Sequence, residues 1–285
     1  MTSRDRRTRM NHAWWDERAK LHRETPLYQA HIDRLKRGGL SLLPLEVNEL
    51  GDIRGKKVLH LQCHIGTDTL SLARLGARVT GVDFSNAAIE EARRLSADLD
   101  IEATFETCEI TALSSRFPAS FDLVFTSHGV LSWLPDLEAW AHHIAGCLIP
   151  SGQLYLSEGH PLVWAFAAEG AVQQAGLKLE LPYLSQPEPS SFSDSGSYAD
   201  RALPTQANAT VEWSWGLGDV VNALIGAGLV IDHLNEHPVG FYPATPEFHE
   251  GPDGHYRLPE PLDGSFPLTF TIRATKPARS ALKPD

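Results

Sequence analysis

The sequence predicts an α/β fold in which helices cover both faces of a mostly parallel sheet. Residues 58–85 read as a buried strand, a tight turn, a helix and a second buried strand. Further apolar runs of strand length follow, and they alternate with amphipathic runs of helical length. Such alternation is typical of βαβ units, in which the strands lie parallel and a helix forms each crossover.

Composition places the chain among globular proteins that bury a sizeable core. It has 285 residues, of which 42% are hydrophobic and 21% are charged, enough for one large domain or for a domain with a subdomain. The net charge of −11 disfavours nucleic acid as a partner, because nucleic-acid-binding proteins carry basic surfaces. No run of about 18 apolar residues is present, so the sequence predicts no membrane span.

Arginine and cysteine usage favours a cytoplasmic protein. One basic cluster reads as a solvated N-terminal tail without the apolar segment of a signal peptide: Arg4, Arg6, Arg7 and Arg9. The three cysteines have no paired spacing, which favours buried thiols over disulfides or a zinc site. They are Cys63, Cys108 and Cys147.

Helices are predicted before the sheet begins. Residues 11–37 show an apolar helical face that Pro26 interrupts and Gly38 ends. This face consists of Trp14, Trp15, Ala19 and Leu21, followed by Tyr28, Ile32 and Leu35. A further helix is expected within 40–50. Either these helices pack on the sheet, or they form a lid whose aromatic residues exclude water from a ligand.

The strand–turn–helix–strand stretch is arranged as in a nucleotide-binding unit. Gly66 marks the turn, and Thr67 and Asp68 can cap the helix that follows. Asp83 closes the second strand, where its carboxylate can accept hydrogen bonds from both hydroxyls of a ribose. A dinucleotide site needs three glycines around its pyrophosphate, whereas the turn at 62–66 keeps one. S-adenosylmethionine, an adenosine without a phosphate, fits this turn better.

The later elements continue the α/β pattern up to residue 160. They are a helix capped by Ser85 or Asn86, a strand at 101–107, a strand at 121–126, a helix at 137–147 and a strand at 153–157. Ligands bind at the carboxyl ends of strands in open parallel sheets. The polar residues that follow these strands are therefore candidate site residues: Glu109, Ser127, His128 and His160.

Residues 161–210 interrupt this pattern and are rich in Pro, Ser and Gly. So long an insertion is usually either functional or mobile. As a cap it could wall an apolar substrate with its aromatic residues Trp164, Phe166, Tyr183, Phe192 and Tyr198. Residues 211–285 then predict a short strand with Trp213 and Trp215, a helix at 219–229, and final strands at 229–234 and 268–274 that pair as a hairpin.

The stretch 58–85 resembles motif I and the following acidic strand of the class I S-adenosylmethionine-dependent methyltransferases. The family's turn reads acid-x-Gly-x-Gly-x-Gly. Here His60 stands at the acid, Gln62 and His64 at two glycines, and Gly66 at the last. The similarity covers roughly residues 45–159 and is closest to the bacterial small-molecule branch with ubiquinone-biosynthesis-like enzymes.

The resemblance implies a Rossmann-like, seven-stranded, mostly parallel sheet with an antiparallel last strand. It divides the chain into a tail and helical lid (1–44), a cofactor-binding core (45–160), a substrate cap (161–210) and the C-terminal part of the core (211–285). The implied function is methyl transfer from S-adenosylmethionine to a small-molecule acceptor.

The resemblance also implies the residues of the site. Cofactor contacts are expected from His60, Gln62, His64, Gly66, Thr67, Asp68, Asp83, Phe84, Ser85, Glu109, Ile110, Ser127 and His128. Glu109 would accept the adenine amine, with the Ile110 N–H on a ring nitrogen. Substrate contacts are expected from Trp14, Tyr28, Trp133, His160 and Trp164.

His160 and His128 are the candidate catalytic bases, because both follow strands at the ligand edge. Further candidates for a base are His12, Tyr28 and His237, which we call the reserve residues. Proximity alone can supply much of the acceleration of methyl transfer, so a base is not required. The sequence does not indicate whether the atom that accepts the methyl group is O, N, C or S.

Two other functions share parts of this pattern. A non-catalytic methyltransferase-like binding protein is compatible with the loss of glycines from the turn. A nicotinamide-dependent oxidoreductase shares the βαβ unit, but its dinucleotide-binding turn would have glycines at the positions that Gln62 and His64 occupy here. Under each reading the expected partner is a small molecule, with no nucleic acid, membrane or metal, and the protein is a monomer or homodimer.

Overall fold

A seven-stranded sheet forms the centre of the molecule. The computed structural model describes residues 3–166, 171–173 and 176–278. The strands are β1 (Lys57–Leu61), β2 (Arg78–Asp83), β3 (Thr104–Thr107), β4 (Phe121–Ser127), β5 (Leu148–Gly159), β6 (Val172–Gln173), β7 (Gly176–Leu177), β8 (Ser190–Ser193), β9 (Ala209–Glu212), β10 (Val230–His237), β11 (His249–Glu250), β12 (Tyr256–Arg257) and β13 (Thr269–Thr275). The helices are α1 (Ser3–His22), α2 (Pro26–Lys36), α3 (Pro44–Leu50), α4 (Thr67–Arg74), α5 (Asn86–Leu99), α6 (Leu113–Arg116), α7 (Leu137–Cys147), α8 (Pro161–Trp164) and α9 (Leu217–Gly226).

The strands of the central sheet run in the order β10-β13-β5-β4-β1-β2-β3. Strands β1 to β5 are parallel to one another, and β13 runs antiparallel to both β5 and β10. The predicted Rossmann-like sheet, mostly parallel with an antiparallel last strand, is confirmed. The register brings Asp83 beside Thr107 and Ser127 beside Ser157, so the carboxyl ends of the parallel strands meet at one edge.

Helices cover both faces of the sheet, as predicted. On one face Trp140 of α7 and Leu224 of α9 belong to the same buried cluster as Phe270 of β13. On the other face Leu72 of α4 packs with Tyr155 of β5. Burying an aliphatic or aromatic side chain of this size contributes roughly 1.5–3 kcal/mol. The two packed faces therefore give the ligand edge a rigid support.

The turn after β1 depends on a glycine. Gly66 has a φ of 80°, and a Cβ at this position would lie 2.7 Å from a ring carbon of Phe105. Gly66 is also the N-cap of α4, and no side chain caps this helix, so the prediction of a cap by Thr67 or Asp68 is wrong. Ser85 does cap α5, because its side chain accepts a hydrogen bond from the Ala88 N–H at 3.1 Å.

Several boundaries differ from the predictions. Residues 3–10 belong to α1 rather than to an unstructured tail. β5 begins at Leu148, which pairs with Phe121, so the turn expected at 149–152 is an irregularity inside one long strand. Trp213 and the residues after it follow β9 instead of lying on it. The two strand boundaries differ because pairing with another strand, rather than local pattern, decides them.

Buried polar contacts join α1 to the insertion. The Asn11 amide donates to the Val211 carbonyl at 2.7 Å and accepts from the Val211 N–H at 2.9 Å. The fully buried Arg18 guanidinium donates to the carbonyls of Gly196 at 2.9 Å and Ala207 at 2.6 Å. Helix α1, the insertion and β9 therefore form one layer over the ligand edge. Parts of the insertion, 167–170 and 174–175, lie outside the described residues.

All three cysteines are free thiols. Cys63 and Cys147 are buried, whereas Cys108 is partly exposed because it lies just past the end of β3. No helix among the described residues combines the length and the apolar character needed to cross a bilayer.

Candidate functional site

A cavity of about 250 Å³ opens at the carboxyl edge of the sheet, beside the ends of β1, β2 and β4. Its floor consists of residues that follow these strands, and its roof comes from α1, α2, the insertion and residues 241–242. The predicted site residues that line it are Tyr28, His60, Gln62, His64, Thr67, Asp68, Asp83, Phe84, Ser127, His128, Trp133 and Trp164. The sheet therefore brings most of the predicted set to one place.

Asp83 lies on the floor of the cavity at the end of β2. One carboxylate oxygen accepts from the His64 N–H and the other from the Ser85 N–H, each at 2.9 Å. Burial raises the pKa of Asp83 to about 6, although these two donors act to lower it. A carboxylate has about four acceptor positions, so each oxygen keeps one free for a hydroxyl of a ligand.

Three non-glycine residues that line the cavity have a left-handed backbone. Gln62 has a φ of 51°, His64 of 49° and His128 of 63°. This conformation costs an L-residue about 1–2 kcal/mol, and such strain tends to cluster at functional sites. Gln62 and His64 stand where the resemblance places family glycines. The turn thus keeps a backbone suited to glycine while two side chains occupy the space beside it.

We expect His64→Gly to be more stable than His64→Ala by about 1 kcal/mol. Both variants lose the ring contacts of His64, but only glycine adopts a φ near 50° without strain. Urea unfolding of the two purified variants measures the difference. An alanine variant as stable as the glycine variant would show that the turn relaxes out of the left-handed conformation.

Hydrogen bonds between side chains close the roof over the turn. His64 Nε2 lies 2.8 Å from His22 Nδ1, and His22 Nε2 lies 2.6 Å from Ser197 Oγ. The hydroxyls of Tyr28 and Tyr198 are 2.5 Å apart. Burial lowers the pKa of His22 to about 2 and that of His64 to about 3, so both rings are neutral at physiological pH. The lid, the cap and the turn are therefore tied together without charge.

Tryptophans form the wall between the lid and the end of β4. Trp15 and Trp133 both line the cavity, with ring centroids 5.1 Å apart. Trp14, a predicted substrate contact, lies behind them: it stacks on Trp133 at 5.5 Å, and the Arg18 guanidinium lies 4.0 Å from its ring centroid. The helix thus turns Trp15 toward the cavity, and a contact of Trp14 with the substrate stays a prediction.

His128 is the main positive charge of the cavity. Its Nε2 forms an ion pair with fully buried Glu46, and its Nδ1 lies 3.7 Å from an oxygen of Asp68. Burial by itself would lower the pKa of His128, but Glu46, Asp68 and Glu158 outweigh it and raise the pKa to about 9. His128 is therefore an imidazolium at neutral pH. It can donate hydrogen bonds, whereas a general base works best with a pKa near the operating pH, and the role of His128 as a base stays a prediction.

His160 caps a helix outside the cavity lining, and its catalytic role stays a prediction. It does not line the cavity, and its Nδ1 accepts from the Leu162 N–H at 3.1 Å to cap α8. Its Nε2 lies 2.9 Å from a carboxylate oxygen of Glu236. The reserve residues His12 and His237 also lie outside the cavity lining. The sequence pattern correctly placed His160 just after the end of a strand, but it did not indicate the direction of the imidazole ring.

Four predicted cofactor residues do not line the cavity. Gly66 and Ser85 are buried beside its floor, where they shape the turn and cap α5. Glu109 is exposed after β3 and Ile110 is half-buried. Adenine contacts by Glu109 and Ile110 would require a ligand that extends beyond the cavity, and they stay a prediction.

Other residues that shape the cavity were missed. Glu46 was passed over because it reads as an ordinary helix-start residue, and its second oxygen does accept from the Leu43 N–H at 2.9 Å. Phe241 stacks on His128 with centroids 4.6 Å apart, and Tyr242 stacks on Trp164. The one signal for this pair was two adjacent aromatics in a loop rich in proline and glycine.

The groups that line the cavity fit a sulfonium nucleoside with an amino-acid tail. Asp83 offers acceptors for two ribose hydroxyls. The Asp68 carboxylate suits an ammonium group, and the imidazolium of His128 suits a carboxylate. Among the described residues, no group of three or more His, Cys, Asp or Glu is arranged to hold a metal ion.

Comparisons with known proteins agree with this geometry. Residues 58–152 match a family model described as a methyltransferase domain. The chain is 31% identical over 156 residues to the ubiquinone biosynthesis O-methyltransferase of Cupriavidus pinatubonensis, covering 54% of this chain and 56% of that protein. It is also 31% identical over 163 residues to the enzyme of the same name from Photorhabdus laumondii, covering 55% of this chain and 62% of that protein. The matches thus span less than two thirds of these relatives.

Solved structures share the fold over a larger part of the chain. An S-adenosylmethionine-dependent methyltransferase from Mesorhizobium loti superposes with a TM-score of 0.57 at 23% identity, covering 81% of this chain and 96% of that one. One from Methanosarcina mazei gives a TM-score of 0.54 at 19% identity, covering 84% and 100%. Residues 58–152 are therefore similar to a methyltransferase domain, and they lie within a sheet that has the fold of these S-adenosylmethionine-dependent methyltransferases.

Proposed function

We propose that this chain transfers the methyl group of S-adenosylmethionine to a small-molecule acceptor. The observation that carries the proposal is Asp83, a buried carboxylate on the cavity floor at the end of β2, inside the matched domain. When bound, S-adenosylmethionine would supply a methyl group activated by its positively charged sulfur. The names of the relatives, O-methyltransferases of ubiquinone biosynthesis, support a hydroxyl as the acceptor.

The roof limits the acceptor to a small molecule. The hydrogen bonds from His22 to Ser197 and from Tyr28 to Tyr198 join the lid to the cap directly above the turn. A polymer would need an open edge, and the net charge of −11 would repel nucleic acid. Trp15, Trp133 and Trp164 give the enclosed space an aromatic wall, which suits a flat or apolar acceptor.

Positioning, rather than base catalysis, is the contribution we assign to this chain. A general base works best with a pKa near the operating pH. The pKa of His128 is raised to about 9, whereas burial lowers the pKa of His60 to about 4 and that of His64 to about 3. None of the three matches neutral pH. The side chains would instead exclude water and hold the acceptor in line, which alone can supply much of the acceleration.

The cysteines support an inference about the cellular compartment of the chain and its partners. Three free thiols in one chain support a reducing compartment, which we take to be the cytoplasm. The chain would act there without nucleic acid or membrane as a partner, as a monomer or a homodimer.

Calorimetry with three ligands tests the cofactor assignment. We expect saturable binding of S-adenosylmethionine and of S-adenosylhomocysteine, its demethylated product, and no binding of NAD. Saturable binding of NAD, without binding of the other two ligands, would contradict the proposal and support a nicotinamide-dependent oxidoreductase. Release of S-adenosylhomocysteine on a panel of small phenols, amines and thiols then tests catalysis. Cofactor binding without turnover on any member would favour the non-catalytic binding protein.

A further inference from the structure

A second, smaller pocket of about 90 Å³ lies in the cap. Aromatic side chains from four segments line it: Trp164, Tyr183, Phe192, Trp213 and Trp215. The charged side chain that lines it is Glu212, the last residue of β9. Trp164 also lines the large cavity, so its ring is a wall common to the two spaces. Nothing in the proposed methyl transfer uses this pocket.

The aromatic wall is held in place by backbone contacts. The Trp213 N–H donates to the Ser132 carbonyl at 2.8 Å, and the indole N–H of Trp215 donates to the Leu134 carbonyl at 3.1 Å. Gly159 lets the Trp164 ring lie close to the end of β5, because a Cβ there would be 2.7 Å from a ring carbon. The pocket is thus built on the sheet and on the turn after β4, as well as on the insertion.

Glu212 has no cationic partner in this setting. Its contact is with the Thr210 hydroxyl at 3.4 Å, and no Lys, Arg or His among the described side chains forms an ion pair with it. Burial raises the pKa of Glu212 to about 7, and the nearby charge of Asp194 adds to the rise. A half-buried carboxylate without a counter-charge either takes up a proton or pairs with a cation, so a cationic ligand beside the aromatic rings would be stabilised wherever Glu212 is ionised.

We propose that this pocket binds an organic ammonium group. The faces of aromatic rings attract cations, and aromatic cages are a known means of recognising quaternary ammonium groups. The Glu212 carboxylate adds the opposite charge, which disfavours anions. A single carboxylate supplies too few oxygen ligands for a metal ion. A protonated or quaternary amine matches both the apolar wall and the charge.

The test compares choline with 3,3-dimethyl-1-butanol, its neutral isostere, at pH 8, where Glu212 is mostly ionised. Calorimetry and tryptophan fluorescence follow binding to the full chain. We expect choline to bind at least about tenfold more tightly than the isostere, because only choline gains the cation–π contacts and the charge of Glu212. Equal binding of the two ligands would mean an apolar pocket and would overturn the proposal, as would the absence of choline binding.

Glu212→Gln tests the role of the charge with little change in shape. We expect this variant to lose choline affinity by about tenfold and to keep its affinity for the neutral isostere. Asp194→Asn removes an acid nearby that does not line the pocket, so it should change choline affinity far less. An equal loss of choline affinity in both variants would show that general surface charge, rather than Glu212 in the pocket, attracts choline. That result would contradict the proposal. Unchanged melting temperatures show that both variants are folded, and neither readout depends on methyltransferase activity.

Discussion

Asp83→Ala will weaken the binding of S-adenosylhomocysteine by about 1–3 kcal/mol, a loss of roughly 5- to 150-fold in affinity. The ribose hydroxyls would lose a charged acceptor, and hydrogen bonds to charged groups contribute about this much. The variant also leaves the N–H groups of His64 and Ser85 without their acceptor, so the turn itself would become less ordered. Calorimetry on variant and wild type gives the ratio of dissociation constants, and circular dichroism checks the fold.

The pH dependence of binding gives Asp83 a second signature. Burial raises the pKa of this carboxyl to about 6, so the unliganded protein loses the charged acceptor as pH falls through 6. Wild-type affinity should therefore decline between pH 7 and pH 5, whereas Asp83→Ala should show a flatter profile. A parallel decline in both proteins would assign the titration to another group and remove Asp83 from the ribose site.

Glu109→Gln is the matched control for Asp83. Glu109 also follows a strand of the sheet and was also assigned to the nucleoside, but it is exposed and does not line the cavity. We expect less than about a threefold change in affinity, because an exposed carboxylate gains little from a hydrogen bond that competes with water. A loss as large as that of Asp83→Ala would show that the ligand reaches past the cavity to the end of β3.

The contrast between these two acids shows what local sequence can predict. Both lie at strand ends, and the alternation of strands and helices was enough to place them there. The direction of a side chain and the depth of a pocket depend on what packs above the sheet. Here α1 and the insertion lie over the region of Asp83 and not over Glu109. That covering layer is built from contacts between segments almost two hundred residues apart, such as Asn11 with Val211.

The backbone conformation of the turn at 62–66 also could not be predicted from the sequence. Gln62 and His64 departed from the glycines of the resembled motif, and this raised the possibility of a degenerate turn. In the structure both residues adopt the left-handed conformation that glycine would adopt, because Asp83 holds the His64 N–H and the Gln62 amide donates to the Val130 carbonyl. The turn therefore has a left-handed backbone at both positions where the resemblance places glycines. Residue identity alone could not show this, since the stabilising partners come from other parts of the chain.

Glu46→Gln will lower the free energy of unfolding at pH 7 by up to about 2.5 kcal/mol, and by less where Asp68 and Glu158 keep part of the charge on His128. The pKa of His128 rises from 6.5 to about 9 in the folded protein, and each tenfold gain in proton affinity corresponds to roughly 1.4 kcal/mol. Glutamine keeps an oxygen for the Leu43 N–H, so the start of α3 is retained and the main change is the lost charge. Urea unfolding at pH 7 measures the difference from wild type.

The stabilisation should disappear at high pH, and its direction can be worked out from the two states. His128 binds its proton more tightly when folded, so the ion pair contributes fully below pH 6.5 and is lost as pH rises through 9. Wild-type stability should therefore fall between pH 7 and pH 10 more steeply than that of Glu46→Gln. His128→Asn supplies the control, because asparagine tolerates a left-handed backbone and does not titrate.

The double variant Glu46→Gln/His128→Asn separates the pair from its surroundings. If the two residues act as one ion pair, the loss in the double variant will be smaller than the sum of the single losses. Strictly additive losses would mean that Asp68, and not Glu46, holds the imidazolium. In that case the charge on His128 would belong to the cavity itself and would depend on ligand occupancy, so binding of S-adenosylhomocysteine would shift the alkaline limb of the stability curve.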